Sequence, residues 1–280
     1  AVGTEGMTGL YVRGGGADEN LYLLDGNPVY HVNHLLGFFS AFNPDAIKNT
    51  RFYKGSFPAE YGGRLSSVVD VRMNDGNRQE YHGNISVGLL SARANLEGPI
   101  VKDRSSFNVS VRRTWLDLIT GTALAVVNKN SSIKDVFGYH FFDINAKLNH
   151  SFSDRSRAYL SFYMGQDAFR QGSKEKNGDS EDMFLWRWGN LIGSAGWNYV
   201  FGQKLFGNLM VGYSRFRSHI RQEVGGYEIY AGKEGKESFK RESYYKSEME
   251  DLSVRLSVDY SPSMSHRVRV GTDYLYHNFR

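Results

Sequence analysis

The chain has 280 residues, a formal net charge of +4, 14% aromatic residues and no cysteine. No run approaches the roughly 18–20 consecutive apolar residues of a membrane helix, and mean hydropathy is −0.48. A helical membrane protein is therefore excluded, as are disulfides, thiol catalysis and Cys-ligated zinc. A β-barrel membrane protein is not excluded, because half of each of its strands is polar and hydropathy averages out. The charge is small and scattered. The basic pairs Arg112/Arg113 and Lys102/Arg104 have no aromatic stacking platform around them, which argues against nucleic acid as a partner.

Composition shifts near Gly76. Residues 1–76 carry glycine runs at 14–16 and 62–63, the Asp25-Gly26 pair and three of the five prolines. They predict short strands at 10–13, 21–24, 50–53 and 67–73. A short helix is predicted at 45–49, entered through Asn43 as cap and Pro44 in the first turn. Asp25-Gly26 is a hairpin-turn signal. This part reads as mixed α and β.

From residue 81 onward, strands and turns follow one another. Nine strands are predicted, near 82–90, 91–101, 105–116, 141–152, 157–166, 185–200, 205–220, 249–260 and 267–279, the first two of which could be one long strand. A helical period shows only at 117–127. Side chains alternate through these strands. Phe107, Val109, Val111 and Trp115 share one face; Ser106, Asn108, Ser110, Arg112 and Thr114 share the other. The same pattern sets Phe142, Ile144, Ala146 and Leu148 against Asp143, Asn145, Lys147 and Asn149, and Leu252, Val254, Leu256 and Val258 against Asp251, Ser253, Arg255 and Ser257. Short connections at 99–104, 153–155, 201–204 and 261–266 alternate with long polar ones at 117–140, 167–184 and 221–248. Tight turns at one end and long loops at the other are the habit of transmembrane barrels. Several strands run to about 10–12 residues, nearer the length a tilted membrane strand needs than that of a globular strand. Alternation alone does not say which face is inward: in a sandwich the apolar face packs inside, in a barrel it meets lipid.

Residues 11–76 resemble the second half of the plug domain of TonB-dependent outer-membrane transporters. The resemblance rests on Val12-Arg13-Gly14-Gly15, Leu23-Leu24-Asp25-Gly26-Asn27-Pro28-Val29, Asn43-Pro44-Asp45-Ala46-Ile47, Tyr53-Lys54-Gly55, Tyr61-Gly62-Gly63 and the stretch 68–71, in the family's order and spacing. His82-Gly83-Asn84-Ile85-Ser86 and Glu97-Gly98-Pro99-Ile100 are similar to the start of the family's barrel, in the style of Bacteroidetes members. The slot at 53–68 departs from the run resembling LKDASAAAIYGSRAANGV that SusC-like glycan importers carry, so a SusD-type lid is not implied.

The resemblance implies a mainly β fold: an antiparallel transmembrane β-barrel, partial, with about nine of an expected 22 strands, and a small α+β plug segment. Residues 1–76 would be the C-terminal part of the plug and residues 77–280 the N-terminal part of the barrel, a piece of a longer chain. Phe107, Val109, Val111 and Trp115 would then face lipid, while Ser106, Asn108, Ser110 and Arg112 face the lumen. The implied setting is the outer membrane of a Gram-negative bacterium. Implied partners are outer-membrane lipid, a small extracellular ligand, a surface lipoprotein, and TonB with ExbB and ExbD acting through a region outside this chain.

Candidate ligand-binding residues are Arg13, Tyr30, His31, Asn33 and His34. Arg13 could read an anion through bidentate bonds or form a plug–barrel salt bridge. His31 and His34, three residues apart, could meet a metal chelate, or the loop could be packed through Phe38 and Phe39. Two histidines without nearby carboxylates are a weak metal site, and no bound metal or cofactor is expected. Candidate plug–barrel contacts are Glu60, Arg64 and Asp70 with Arg112, Arg255 and Arg269. Catalysis finds no foothold: there is no nucleophile elbow, HExxH or phosphate-binding loop. The function implied is active import of a nutrient (siderophore, cobalamin, metal chelate, peptide or glycan). A signalling or protein-binding receptor, and a soluble secreted β-sandwich, stay open as alternatives.

Overall fold

The computed structural model describes residues 12, 14–34, 37–176, 180–229 and 236–280. The N-terminal unit is a four-stranded sheet with order β2-β1-β6-β5. Its strands are β1 (Asn20–Leu24), β2 (Asn27–Pro28), β5 (Ile47–Tyr53) and β6 (Ser67–Met73), and a two-stranded ribbon of β3 (Asn33–His34) and β4 (Phe39–Ser40) lies between β2 and β5 in sequence. β1 pairs parallel with β6, and the other pairings are antiparallel. Asp25 and Gly26 both have positive φ, 46° and 89°, and turn β1 into β2 as a primed hairpin turn requires. Leu24, Val29, Ala41, Val71 and Met73 form the buried core of this unit, and the barrel residues Tyr163 and Ile192 complete it.

The predicted strands at 21–24, 50–53 and 67–73 are present, and the one at 10–13 falls almost wholly outside the described residues. The predicted helix at 45–49 is not formed. Asn43 does cap a turn, with its Oδ1 accepting from Asp45 N at 3.2 Å, but the turn is a single 3-10 one over Pro44–Ala46. Ile47 already pairs with Met73 in β5. A sheet partner thus outweighs the local capping signal, because each residue added to β5 gains a ladder bond and packing on β6.

The remainder is one antiparallel sheet of nine strands in sequential order. They are β7 (His82–Val87), β8 (Ser91–Val101), β9 (Ser105–Thr114), β10 (Ile133–Ser153), β11 (Ser156–Glu175), β12 (Glu181–Gly202), β13 (Leu205–Ile229), β14 (Lys236–Ser263) and β15 (His266–Phe279). The first two are separate strands, and β7 ends at Val87 rather than 90. Helix α1 (Leu116–Val127) sits between β9 and β10 where the helical period was read.

The long polar connections are mostly not loops. Ile133 pairs with Glu175, Lys174 with Glu181, and Ile229 with Lys236, so 133–140, 167–175, 221–229 and 236–248 extend the hairpins as ladder. With water on both sides no face need be apolar, so alternation disappears while backbone pairing continues.

Register places the apolar faces outside. Phe107, Leu148, Leu160, Ala195, Val211 and Val254 are direct cross-strand neighbours in one row across β9 to β14. Leu160 is 58% exposed and Val211 40%. On the opposite face Ser106, Asn108, Ser110 and Asp143 are fully buried, with Asn145 and Lys147 nearly so. A soluble sandwich would show the reverse. The side chains covering this polar face come from the N-terminal unit. Gly212 illustrates how closely: a Cβ there would collide with the Asn27 side chain.

Leu160→Arg should cost about 2–4 kcal/mol of folding free energy in a bilayer, the depth-dependent figure for a cation on a lipid face. Denaturant unfolding in liposomes measures it; an unchanged midpoint would contradict a lipid-facing position.

Candidate functional site at the plug and barrel wall

Residues 29–34 and 37–46 lie against the inner wall of the sheet. Their centre is His34. The imidazole sits between two barrel carboxylates, with Nδ1 2.6 Å from Asp167 Oδ2 and Nε2 2.8 Å from Asp143 Oδ1. The ring stacks on Phe141 at 4.1 Å between centroids. Arg112 closes the group: its Nη2 lies 2.5 Å from Asp143 Oδ2 and donates to the Ser40 carbonyl at 2.7 Å. Tyr163 donates to Asp143 and Tyr139 to Asp167. His34, Arg112 and both aspartates are each at most 6% exposed. Two buried carboxylates facing one guanidinium balance only if the imidazole also carries charge. Burial disfavours the imidazolium, but the hydrogen bonds it donates to the Asp143 and Asp167 carboxylates outweigh that, and the His34 pKa is pushed up to about 9.

A second set of contacts runs down the wall. Lys147 Nζ lies 3.3 Å from Asp25 and 3.1 Å from Asp75, and donates to the Met73 carbonyl at 3.1 Å. Asn43 Nδ2 donates to Ser110 Oγ at 2.7 Å. Asn27 bonds Ser194 and accepts from Ser253 at 2.8 Å. Ser214 donates to the Pro28 carbonyl, and Ser106 and Asn149 donate to that of Asp75.

The sequence-chosen residues are placed as follows. Tyr30 donates to Asp251, and burial with this carboxylate raises its pKa. His31 stands edge-on to Trp188 at 5.9 Å, its carbonyl accepts from Asn190, and burial lowers its pKa. Asn33 pairs with Ser40 in the β3–β4 ribbon. Arg13 lies outside the described residues. Glu60 meets Arg269 across the interface at 2.9 Å. Asp70 is buried but bonds Tyr61 and Arg72 within its own unit, and Arg64 donates to the neighbouring Gly63 carbonyl. Arg255 pairs with Asp273 inside the barrel sheet at 2.6 Å. Sequence reasoning missed Asp167 because it fell in an assumed loop; Asp143 and Lys147 were visible as charges on a polar face, without partners.

Above this contact the inner wall turns aromatic. Tyr139, Phe141 and Trp188 cluster with half-buried Phe39, Phe169, Trp186 and Phe216, and Trp186 lies 4.0 Å from Trp188. Among the described residues no group of three or more His, Asp or Glu is arranged to hold a metal ion.

An N-terminal α+β unit fills a polar-lined antiparallel wall, and its stretch up to β6 has a known counterpart. Residues 2–69 match the TonB-dependent Receptor Plug Domain. The matched stretch carries His34 and Asn43. The wall has structural likenesses as well. FpvA of P. aeruginosa, bound to heterologous pyoverdines, aligns with TM-score 0.51 at 12% identity, over 93% of this chain and 46% of its own. The ferric citrate transporter FecA in its unliganded form gives 0.47 at 9%, over 92% and 51%. The siderophore receptor PirA from Acinetobacter baumannii gives 0.42 at 14%, over 94% and 50%. The chain thus spans about half the length of these structures. At such identities the likeness is one of fold alone: part of an antiparallel β-barrel with a unit seated against its inner wall. No curated protein matches the chain.

The sign of the His34 linkage is fixed by its raised pKa. Its contribution to plug docking is complete below the unfolded value of about 6.5 and is lost as pH rises through about 9. Protection of the amides at 30–34 and 37–46, relative to unstructured peptide at the same pH, should fall over that interval, and His34→Gln should flatten that pH dependence. Asp143→Asn, which leaves Arg112 and His34 short of a partner, should cost about 3–5 kcal/mol by denaturant unfolding.

Proposed function

We propose that this chain is the plug and part of the barrel of a TonB-dependent outer-membrane receptor, which binds a small extracellular ligand and admits it through the lumen. The observation that carries the reading is the plug match joined to the inverted sheet: apolar outside, polar inside, with the polar side occupied by that plug. On this reading residues 1–76 act as plug and residues 77–280 as barrel. TonB, with ExbB and ExbD, pulls on a region upstream. The chain's own residues perform no covalent chemistry: they bind, orient and release.

The aromatic wall suggests where ligand arrives. Phe216 lies 6.1 Å from His31 between ring centroids, and half-buried Phe169 and Trp186 in the same cluster offer further stacking faces. Such faces suit ligands with aromatic or sugar rings, each contact contributing about 0.5–1.5 kcal/mol. Siderophores, cobalamin, metal chelates, peptides and glycans are all within this class of small extracellular cargo. The Bacteroidetes style of residues 82–86 and 97–100 fits this reading, the departure of the 53–68 slot from the SusC-like run implies no SusD-type lid, and a surface lipoprotein partner is compatible with it.

Deleting the gene in its host should abolish energised uptake of one nutrient, and deleting TonB should have the same effect. Uptake unaffected by either deletion would refute transport and favour a receptor for signals or proteins. For the nutrient so identified, Trp186→Ala should weaken cell-surface binding about tenfold, measured with labelled ligand on intact cells. Undiminished affinity would remove the aromatic wall from the site.

A further inference from the structure

The short-turn end of the inner wall carries a cavity that neither plug docking nor the aromatic wall uses. It measures about 470 Å³ and is lined by Arg78, Arg155 and Arg157, with Ser151, Asn198 and Phe206 among its other walls. Register fixes its side. Ser151 on β10 pairs with Arg157 on β11, and Arg157 with Asn198 on β12. The row of Lys147 and Ser161 lies four residues back along each strand, away from the turn. An even step keeps side chains on one face, so Arg157 shares the plug-facing side with Lys147, roughly 13 Å nearer the turn end at about 3.3 Å per residue. Arg78 reaches the cavity from another element, the connection at 74–81 between β6 and β7. Its carbonyl accepts from Asp103 N at 3.1 Å, which anchors the backbone there.

The charges facing these guanidinium groups leave them unmatched. Asp103 and Asp154 also line the cavity. Asp103 accepts a hydrogen bond from the Gln79 amide. Asp75 lies on the same connection as Arg78, but Lys48 holds it at 2.5 Å and Lys147 at 3.1 Å. Among the described residues Arg78, Arg155 and Arg157 have no carboxylate within ion-pair distance. Burial and the nearby Arg157 charge hold the Arg78 pKa below its ordinary value. Two like charges are thus kept close, one on the connection and one on the wall, and a counter-anion would relieve their repulsion. Ser151 gives a second, independent sign. Its Oγ is buried without a hydrogen-bond partner, which leaves a free donor for an acceptor in the cavity.

We propose that this cavity is a binding site for a soluble oxyanion, a phosphate or carboxylate group held between Arg78 and Arg157. Planar guanidinium forks pair bidentately with either group, and Ser151 Oγ adds a hydrogen bond. A lipid headgroup does not suit the site, because the apolar belt that acyl chains require lies on the other face of the sheet. An anion bound there bridges the connection at 74–81 to β11 and holds that connection in place. The site needs only the plug-facing position of the cavity, so anion binding and nutrient uptake can fail separately.

The test uses the full protein purified from outer membranes in detergent, its Arg78→Gln/Arg157→Gln variant and an Arg104→Gln control. Arg104 carries the same charge at the adjoining turn but does not line the cavity. Each protein is titrated calorimetrically with inorganic phosphate and with citrate, ionic strength being held constant with sodium chloride. Amide exchange at 74–81 is followed in parallel. Wild type and the control should bind oxyanion saturably, with exchange at 74–81 slowed. Tighter binding of phosphate points to the free anion as occupant, and tighter binding of citrate to a carboxylate-bearing compound. The double variant should bind at least tenfold more weakly, because hydrogen bonds to a charged group are each worth about a factor of ten or more. Gel mobility before and after boiling shows whether it is a folded barrel. Should it not fold, Arg157→Gln alone, at an exposed position, should still bind about tenfold more weakly. No saturable binding by wild type, undiminished affinity in the folded variant, or an equal loss in the Arg104 control would overturn the proposal.

Discussion

A sheet whose apolar side faces outward leaves its polar side to be satisfied from within. Everything else in this structure depends on that requirement. The wall presents Ser106, Asn108, Ser110, Arg112, Asp143, Asn145, Lys147 and Asp167 to one another and to the plug, all of them buried. Left unmatched, each buried hydroxyl or amide costs on the order of 1–3 kcal/mol and a charge costs more. The plug supplies the matches with short polar side chains (Asn27, Asn43), backbone carbonyls (Pro28, Ser40, Met73, Asp75) and a few ions (Asp25, His34). The interface is therefore held by hydrogen bonds far more than by apolar contact, and the main apolar surface lies outside, on the lipid side.

That arrangement bears on motion. Polar contacts can be exchanged for water one at a time, whereas an interdigitated apolar core resists piecemeal opening. Most wall contacts here are single neutral hydrogen bonds, each worth about 0.5–1.5 kcal/mol net. The exceptions are charged: Lys147 with Asp25 and Asp75, Glu60 with Arg269, and the larger group around His34. The His34 group joins the β3–β4 ribbon to β9, β10 and β11 through Arg112, Asp143 and Asp167, and its charges balance only as a set. Separating His34 and Ser40 from the wall has to break this group.

Much of the fold was legible in the sequence, for a physical reason. Within the apolar belt every second side chain must be lipophilic, so Leu252-Ser253-Val254-Arg255-Leu256 announces both the strand and its two faces. Beyond the belt the constraint ends. Residues 171–175, Gln-Gly-Ser-Lys-Glu, read as loop because nothing distinguishes their faces, yet they continue β11 in register with β10. The same error hid Asp167, and with it half of the His34 clasp. The turn after Pro44 was misread as a helix for the opposite reason: the cap signal was real, but pairing of Ile47 with Met73 took over after one turn. Which charged residues meet across the lumen was not legible at all. Glu60 with Arg269 and His34 with Asp143 are separated by 209 and 109 residues, and only the register of the whole sheet brings them together.

The central claim is that the plug occupies the polar side of the sheet while the apolar side meets lipid. Because the chain has no cysteine, paired substitutions can test it without background thiols. Asn43→Cys with Ser110→Cys should be joined in intact outer membranes by a short thiol crosslinker, while Asn43→Cys with Val111→Cys, one residue away on the outer face, should not. Efficient crosslinking of the Val111 pair, with none of the Ser110 pair, would place the plug on the other side of the sheet and contradict the account.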